Sequence, residues 1–320
     1  MRIKIIAGTL CLVWLAGCAS TPPPVAYKSN PRWSEARNVM EAAHIPGMQD
    51  ISYQKYQEAK NTALAKGMKL DTGPSVLGGT TFGALNYMSP PTGFSSGAAG
   101  LMGLASWMLT SNKHPGLNSY LFAWMPDEGL ASEDVALTKF YGILKETITK
   151  TVNEFAWPDG YQASILSRVY SRYENSIDVM ITGGDCDKAE ILCGYRNFRA
   201  PLPRHEPAPE SLGSGNVYVF GRLPIEGKHW LIGPSASKSK VFDPEPGKPK
   251  SASNSVWYAG FPDLEFYTAL TRNLPKWVYI YLAPQHWSIY DGTKYILPKY
   301  PVVINQGRVL YFVEPAPSVQ

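Results

Sequence analysis

The sequence lacks the short motifs that mark the common nucleotide, metal and nucleic-acid sites. It contains no P-loop, no dinucleotide fingerprint, no zinc-binding helix and no catalytic-cysteine pattern. Lysine and arginine do not form runs, and 30 basic residues stand against 26 acidic ones, a formal net charge of +4. Proteins that bind nucleic acid usually concentrate basic residues on one face or in one segment. We therefore expect no cofactor, no metal and no nucleic-acid partner.

Charged residues are also missing from a long internal segment, residues 72–112, which contains no Asp, Glu, Lys, Arg or His. This segment forms two arms rich in small side chains, on either side of a turn at residues 89–93. Small residues recur in the arms at helical spacing, which lets helix backbones approach closely where water does not drive association. The sequence predicts an apolar helical hairpin packed through five glycines: Gly79, Gly83, Gly97, Gly100 and Gly103.

The length of the two arms decides which membrane they fit. A helix of about 17 residues rises roughly 25 Å, whereas a typical hydrocarbon core of about 30 Å asks for nearer 20 residues. Because the bacterial outer membrane is thinner than average, the arms suit it better than an inner membrane. The alternative is a Gly-rich buried hairpin or loop inside a soluble domain, since each glycine costs a helix about 1 kcal/mol.

The start of the chain is organised as an export signal. A short basic region is followed by an apolar run of signal-peptide length. The run ends in Leu15-Ala16-Gly17-Cys18, which resembles the lipobox of bacterial lipoproteins. The resemblance implies cleavage before Cys18, lipid on its thiol and a mature N-terminus at this residue. Ala19, in place of an aspartate, implies passage to the outer membrane.

Cysteine is scarce, with four residues in the chain. Cys11 leaves with the predicted signal and Cys18 carries the lipid, so only Cys186 and Cys193 remain in the body. An oxidising periplasm favours their pairing, and closing so short a loop contributes roughly 2.5 kcal/mol in the chain-entropy model. A metal site would need more ligands than these two thiols, and no histidine is nearby. We predict a disulfide between Cys186 and Cys193.

The remaining sequence predicts an α+β fold, with a mixed or antiparallel sheet and packed helices. Apolar spacing and capping residues predict helices at residues 34–44, 52–66, 132–152 and 263–272. Alternating aromatic and β-branched residues, closed in each case by a proline, predict strands at residues 119–126, 216–224, 277–284 and 308–315. Val135 is placed on the apolar face of the third helix. Residues 199–215 and 243–255 have the composition of surface loops.

These elements divide the chain into five parts. Consecutive prolines favour an extended conformation, so a lipidated tether follows the signal peptide. The parts are a signal peptide at 1–17, the tether at 18–32, a helical segment at 33–71, the hairpin at 72–112 and the α+β body at 113–320.

One pattern resembles a catalytic motif, the nucleophile elbow G-x-S-x-G of serine hydrolases, at Gly93-Phe94-Ser95-Ser96-Gly97. The elbow requires a strand that delivers the serine to a sharp turn, and a Pro-Pro pair stands where that strand would be. An aspartate and a histidine would have to complete the triad, and no sequence feature singles them out: Asp243 or Asp291, and His286. We expect the protein not to be an enzyme, with a lipid-tethered serine hydrolase as the alternative.

Two histidines share a local pattern, because His229 and His286 each precede a tryptophan. A histidine beside a large aromatic side chain is more often a packed structural residue than a catalyst. The two residues would form a ligand site if the strands brought them together, and a metal site would need a third ligand. A ligand-binding module is therefore a further alternative.

The layout of lipidated cysteine, helical segment and uncharged Gly-rich hairpin resembles glycine-zipper outer-membrane lipoproteins, such as the surface-exclusion lipoproteins of conjugative plasmids. The resemblance implies a structural role in a cell-envelope assembly, with oligomerisation through the hairpin. The expected partners are membrane lipid at Cys18, further copies of the chain and other envelope proteins. The body would face the periplasm or the cell surface.

Overall fold

The part of the chain that the structure describes contains four α-helices and thirteen strands, and most of the strands follow one another in two runs. This computed structural model covers residues 25–65, 119–157, 160–171, 174–183, 191–197, 202–227, 229–231, 255–256, 263–283, 289–290, 295–296 and 301–317. The helices are α1 (Glu35–Ala42), α2 (Tyr53–Ala65), α3 (Glu133–Glu154) and α4 (Asp263–Asn273). The strands are β1 (Tyr120–Pro126), β2 (Tyr161–Ser171), β3 (Glu174–Gly183), β4 (Ile191–Asn197), β5 (Arg204–Pro207), β6 (Asn216–Gly227), β7 (His229–Leu231), β8 (Ser255–Val256), β9 (Val278–Leu282), β10 (Ile289–Tyr290), β11 (Tyr295–Ile296), β12 (Val302–Asn305) and β13 (Arg308–Leu310).

Eleven of these strands form one sheet in which every pairing is antiparallel. Its main order is β13-β12-β9-β1-β6-β4-β3-β2, with β5 beside β6, β7 beside β4 and β8 beside β7. Strands β10 and β11 pair separately. The predicted α+β class is confirmed, and the pairings show that the sheet is antiparallel rather than mixed.

Side chains on the central strands alternate between two covered faces, because successive residues of a strand point to opposite sides. One face is mainly aliphatic and packs against α3 and α4. In β1 it presents Leu121, Ala123 and Met125, and Phe140 of α3 stacks on Phe220 of β6 at 4.1 Å between ring centroids. This face holds the larger of the two main core clusters.

The opposite face is rich in aromatic residues and is covered by the N-terminal part of the chain. The rings of Phe122 and Tyr279 stack, with 5.9 Å between centroids, and Trp124 meets both rings edge-on. Residues of α1 and of the loop after it close this cluster: Ala36, Val39, Met40, Ala42, Ala43, Ile45 and Met48. Helix α1 is thus part of the same core as the sheet.

After α1, the chain runs beside the last residues of the body. Ile51 forms an isolated parallel bridge with Val313, and backbone hydrogen bonds join it to Phe312 and Glu314. Tyr56 and Ala59 of α2 then pack near Val313. Helix α2 therefore lies against the body.

The four predicted helices and four predicted strands are present, and some of their limits differ. Strand β6 does not end at Pro224 but runs on to Gly227. Pro224 pairs with Tyr120 at the end of the β1 ladder, and the residues after it pair with β4 instead. The last strand ends at Leu310 rather than near residue 315. Val135 is 44% exposed, since Ala136 and Leu137 are the buried residues of the first turn of α3.

The predicted loop at residues 199–215 contains an additional strand and a short 3-10 helix. Strand β5 pairs with the first part of β6, from Arg204 opposite Val219 to Pro207 opposite Asn216. The 3-10 helix is Glu210–Leu212. The Gly-rich hairpin and most of the other predicted loop, residues 243–254, lie outside the described residues.

The turn between β12 and β13 is tightly joined to the end of α4, which makes Gly307 a sensitive position. Gln306 and Gly307 both have positive φ, at 50° and 71°, as two-residue hairpin turns require. The Gly307 N–H donates to Thr271 Oγ1 at 3.0 Å, and a Cβ on Gly307 would overlap the Cγ atom of Arg272. We expect Gly307→Ala to lower the free energy of unfolding by about 2 kcal/mol, measured by urea denaturation.

Gly129 provides the matched control for this substitution. Its φ is 73°, close to that of Gly307, and a Cβ there would meet no atom within 4 Å. Gly129→Ala therefore carries only the backbone strain of the left-handed region, about 1 kcal/mol. Equal effects of the two substitutions would contradict the packing of the turn against Arg272.

Candidate functional site

Polar side chains gather at the C-terminal end of β1, where the chain turns into α3. The Leu130 N–H donates to the Asp127 carbonyl at 2.8 Å, and Glu128 and Gly129 have φ values of 45° and 73°. A glutamate in the left-handed region is unusual and costs free energy, so the surroundings must hold it there. The Glu128 carboxylate accepts from Lys139 Nζ at 3.1 Å, which ties the turn to α3.

Asp127 joins this turn to β5 through a histidine. Its Oδ2 atom lies 3.0 Å from His205 Nε2, and the His205 ring is 5.0 Å from the ring of Tyr218 on β6. Asp127 Oδ1 is buried without a hydrogen-bond partner among the described residues. A carboxylate that orients an imidazole is the arrangement of many acid–base dyads, and His205 is 40% exposed.

Tyr218 completes this cluster of Asp127, His205 and Tyr218. Its hydroxyl donates to the Leu130 carbonyl at 3.3 Å. Loss of solvent contact raises the pKa of Tyr218, and the negative charges of Asp127 and Glu133 act in the same direction. The phenol therefore keeps its proton and stays a donor. Among the described residues no hydroxyl or thiol is hydrogen-bonded to the His205 imidazole. The cluster therefore orients a histidine and closes the turn.

A second set of polar contacts is centred on Glu206, the residue that follows His205 in β5. Glu206 faces Arg204 Nε at 3.2 Å and His44 Nε2 at 3.8 Å. His44 follows α1 and has a positive φ of 56°. These contacts connect the N-terminal layer, which is α1 and the loop after it, to β5. Exposed pairs of this kind contribute about 0–1 kcal/mol each.

A buried carboxylate holds the start of α1. Ser34 caps the helix, because its Oγ accepts from the Arg37 N–H at 3.0 Å, and its own N–H and hydroxyl donate to Asp50. The Asp50 side chain is 2% exposed. Burial raises its pKa, while the hydrogen bonds from Ser34 and the charge of Arg37 act in the opposite direction. The arrangement clasps both ends of the N-terminal layer.

The chain enters the body beside β5. Val25 is 85% exposed, and two residues later Tyr27 is held at both its side chain and its backbone. The Tyr27 hydroxyl donates to Asn38 Oδ1 at 3.0 Å, and its carbonyl accepts from the Glu210 N–H at 3.0 Å. This entry point is near the turn cluster, because β5 and the 3-10 helix precede β6 at the same end of β1.

Most residues singled out from the sequence lie outside the described part of the chain. This is so for Cys18, Cys186, Ser95, Asp243, Asp291 and His286, and for the hairpin glycines Gly79, Gly83, Gly97, Gly100 and Gly103. The backbone of Cys193 lies in β4 opposite Ile181, and that of His229 in β7 opposite Val256. The Cys186–Cys193 disulfide stays a prediction.

Sequence reasoning missed the turn cluster because its members are far apart in the chain and match no motif. Asp127 and His205 are separated by 78 residues, and His205 falls in a segment with the composition of a loop. Within the described ranges, no three His, Cys, Asp or Glu residues are grouped as metal ligands. No helix of those ranges has the length and apolar character to cross a membrane.

Comparisons with protein-family models, with curated proteins and with solved structures gave no match to this chain.

Proposed function

We propose that this chain is an outer-membrane lipoprotein with a structural role in a cell-envelope assembly, and that it oligomerises through its Gly-rich hairpin. The observation that carries the proposal is the box Leu15-Ala16-Gly17-Cys18 after a basic start and an apolar run. A lipoprotein cysteine carries more than one acyl chain, and two chains anchor a protein stably. The hairpin is therefore not needed for attachment and serves assembly.

The anchor is tested by metabolic labelling with palmitate. We expect labelling of the wild type to be lost completely in Cys18→Ser, because no other cysteine ends a lipobox. Cys11→Ser is the matched control, since that residue leaves with the signal and its loss should not change the label. Label that persists in Cys18→Ser would exclude the lipoprotein assignment. Ala19→Asp should keep its label and remain in the inner-membrane fraction.

The hairpin is tested separately by the size of the detergent-extracted protein. We expect Gly83→Leu together with Gly100→Leu to dissolve the oligomer while Cys18-dependent labelling survives, because larger side chains separate helices that pack backbone to backbone. Gly142→Leu is the control, since Gly142 lies on the exposed side of α3 and a Cβ added there would meet no atom within 4 Å. A monomeric wild type, or unchanged assembly of the double variant, would refute the role of the hairpin.

A further inference from the structure

The first residues that the structure describes belong to a segment without negative charge. Residues 18–34 contain no aspartate and no glutamate. They contain two basic residues, Lys28 and Arg32, and both are exposed. Among the described residues, no carboxylate lies within 4 Å of either cation. The two charges can therefore meet a negatively charged partner.

The segment forms a loop that is fixed to α1. The Trp33 N–H donates to the Asn30 carbonyl at 3.1 Å, which makes a turn with Pro31 and Arg32 at its tip. The Asn38 side chain of α1 holds this turn, because its Nδ2 donates to the Asn30 carbonyl at 2.9 Å and its Oδ1 accepts from the Asn30 N–H at 2.8 Å. A preformed loop loses little conformational entropy on binding.

Apolar and aromatic side chains flank the two cations. Val25 is 85% exposed. Trp33 is half-buried, and the Arg37 guanidinium lies 3.9 Å from its ring centroid. Tryptophan is enriched at the level of lipid headgroups, where its ring meets both apolar and polar surroundings. Basic side chains combined with apolar and aromatic ones are typical of surfaces that bind anionic membranes.

The length of chain before Val25 decides which partner this loop meets, a step that rests on the proposed lipidation of Cys18. Seven residue steps separate Cys18 from Val25, and seven extended residues span at most about 25 Å. Because the acyl chains hold Cys18 at the bilayer surface, the loop stays within reach of the headgroups. Such tethering gives the headgroups a high effective concentration at the loop.

We propose that residues 25–33 form a membrane-docking loop that binds the phosphate headgroups of anionic lipids in the bilayer that carries the Cys18 anchor. Lys28 and Arg32 contact the phosphates, and Val25 and Trp33 lie at the headgroup level. Helix α3 covers the opposite face of the sheet from α1. Docking therefore orients the body, with the N-terminal layer toward the bilayer and α3 away from it.

Photocrosslinking tests the docking in the full lipidated protein, reconstituted into vesicles of phosphatidylethanolamine and phosphatidylglycerol. Benzoylphenylalanine in place of Ser29, an exposed residue between the two cations, should crosslink to lipid. The same group in place of Thr149 is the control, because Thr149 is exposed on α3, and it should give no crosslink above background. No crosslink at position 29, or equal crosslinking at both positions, would overturn the proposal.

Charge removal separates docking from mere proximity to the anchor. Lys28→Gln together with Arg32→Gln should lower the docking equilibrium about 25-fold, and the crosslinking yield at position 29 with it, because each cation contributes about fivefold. Lys145→Gln with Lys150→Gln is the matched control, since both lysines are exposed on α3, and it should leave the yield unchanged. An unchanged yield after loss of Lys28 and Arg32 would overturn the proposal.

The palmitate label on Cys18 distinguishes failure of this proposal from failure of the lipoprotein assignment. Label on Cys18 without crosslinking at position 29 would overturn the docking loop alone. Absence of label from the wild type would overturn both, because the loop would then have no anchor to hold it at the bilayer.

Discussion

Met40→Asp should leave the body largely unfolded at 37 °C. Met40 is fully buried in the N-terminal layer, against the aromatic face of the sheet. Removal of a buried methionine side chain costs about 2–5 kcal/mol, and an unpaired buried carboxylate adds several kcal/mol more. Their sum approaches the whole stability of a typical domain, about 5–15 kcal/mol. The measurement is chemical denaturation followed by near-ultraviolet circular dichroism.

Val25→Asp is the matched control, because it introduces the same charge before α1 at a residue that is 85% exposed. It should change the free energy of unfolding by about 0.5 kcal/mol or less. If α1 were a detachable segment, Met40→Asp would also leave the unfolding transition of the sheet unchanged. Such a result would show that the N-terminal layer is not required by the core.

Raising the pH from 10 to 12 should destabilise the protein steeply. Burial, with a smaller contribution from Glu35, raises the pKa of Tyr279 to about 12. Burial also raises the pKa values of Tyr281 and Tyr311. Below pH 10 both the folded and the unfolded state keep the phenolic proton, so the full stability is present. Between pH 10 and 12 mainly the unfolded state releases the Tyr279 proton, and the free energy of unfolding falls by about 2 kcal/mol from this residue alone.

Tyr279→Phe separates this residue from the others. The substitution removes the phenolic proton from both states, so the fall in unfolding free energy between pH 10 and 12 should be about 2 kcal/mol smaller than in wild type. Urea denaturation of both proteins at pH 8, 10 and 12 provides the comparison. Identical pH dependence of the two proteins would show that the Tyr279 hydroxyl is not shielded from solvent in the folded state.

Both predictions concern the N-terminal layer, which connects the tether to the rest of the body. Tyr279 lies in the aromatic cluster that α1 covers, and Met40 is one of the side chains that cover it. Displacement of α1 would expose this cluster and release the clasp between Ser34 and Asp50. The stability of the body therefore depends on the packing of α1, which lies in the segment that follows the proposed lipid anchor.

Local signals in the sequence were sufficient to place several elements. Ser34 and Ser132 predict the starts of α1 and α3, and in the structure each serine oxygen accepts from a backbone N–H of the first turn. Alternating side chains predict β1 and β9. The same period-two signal is present in β2, where Ala163 and Ile165 alternate with Gln162 and Ser164, although no strand was predicted there. Such signals are readable because they depend on neighbours within a few residues.

Composition and short spacing alone predict the lipobox, the uncharged hairpin and the α+β class, and of these three the structure confirms the α+β class. Which face of each strand meets which layer follows from tertiary packing and not from any local pattern. Periodicity shows that Leu121 and Phe122 point to opposite sides, yet not that α3 covers one and α1 the other. Tertiary packing also decided the contact of Asp127 with His205, 78 residues away. Contacts at such separation follow from the packing of all layers together, and no local pattern in the chain encodes them.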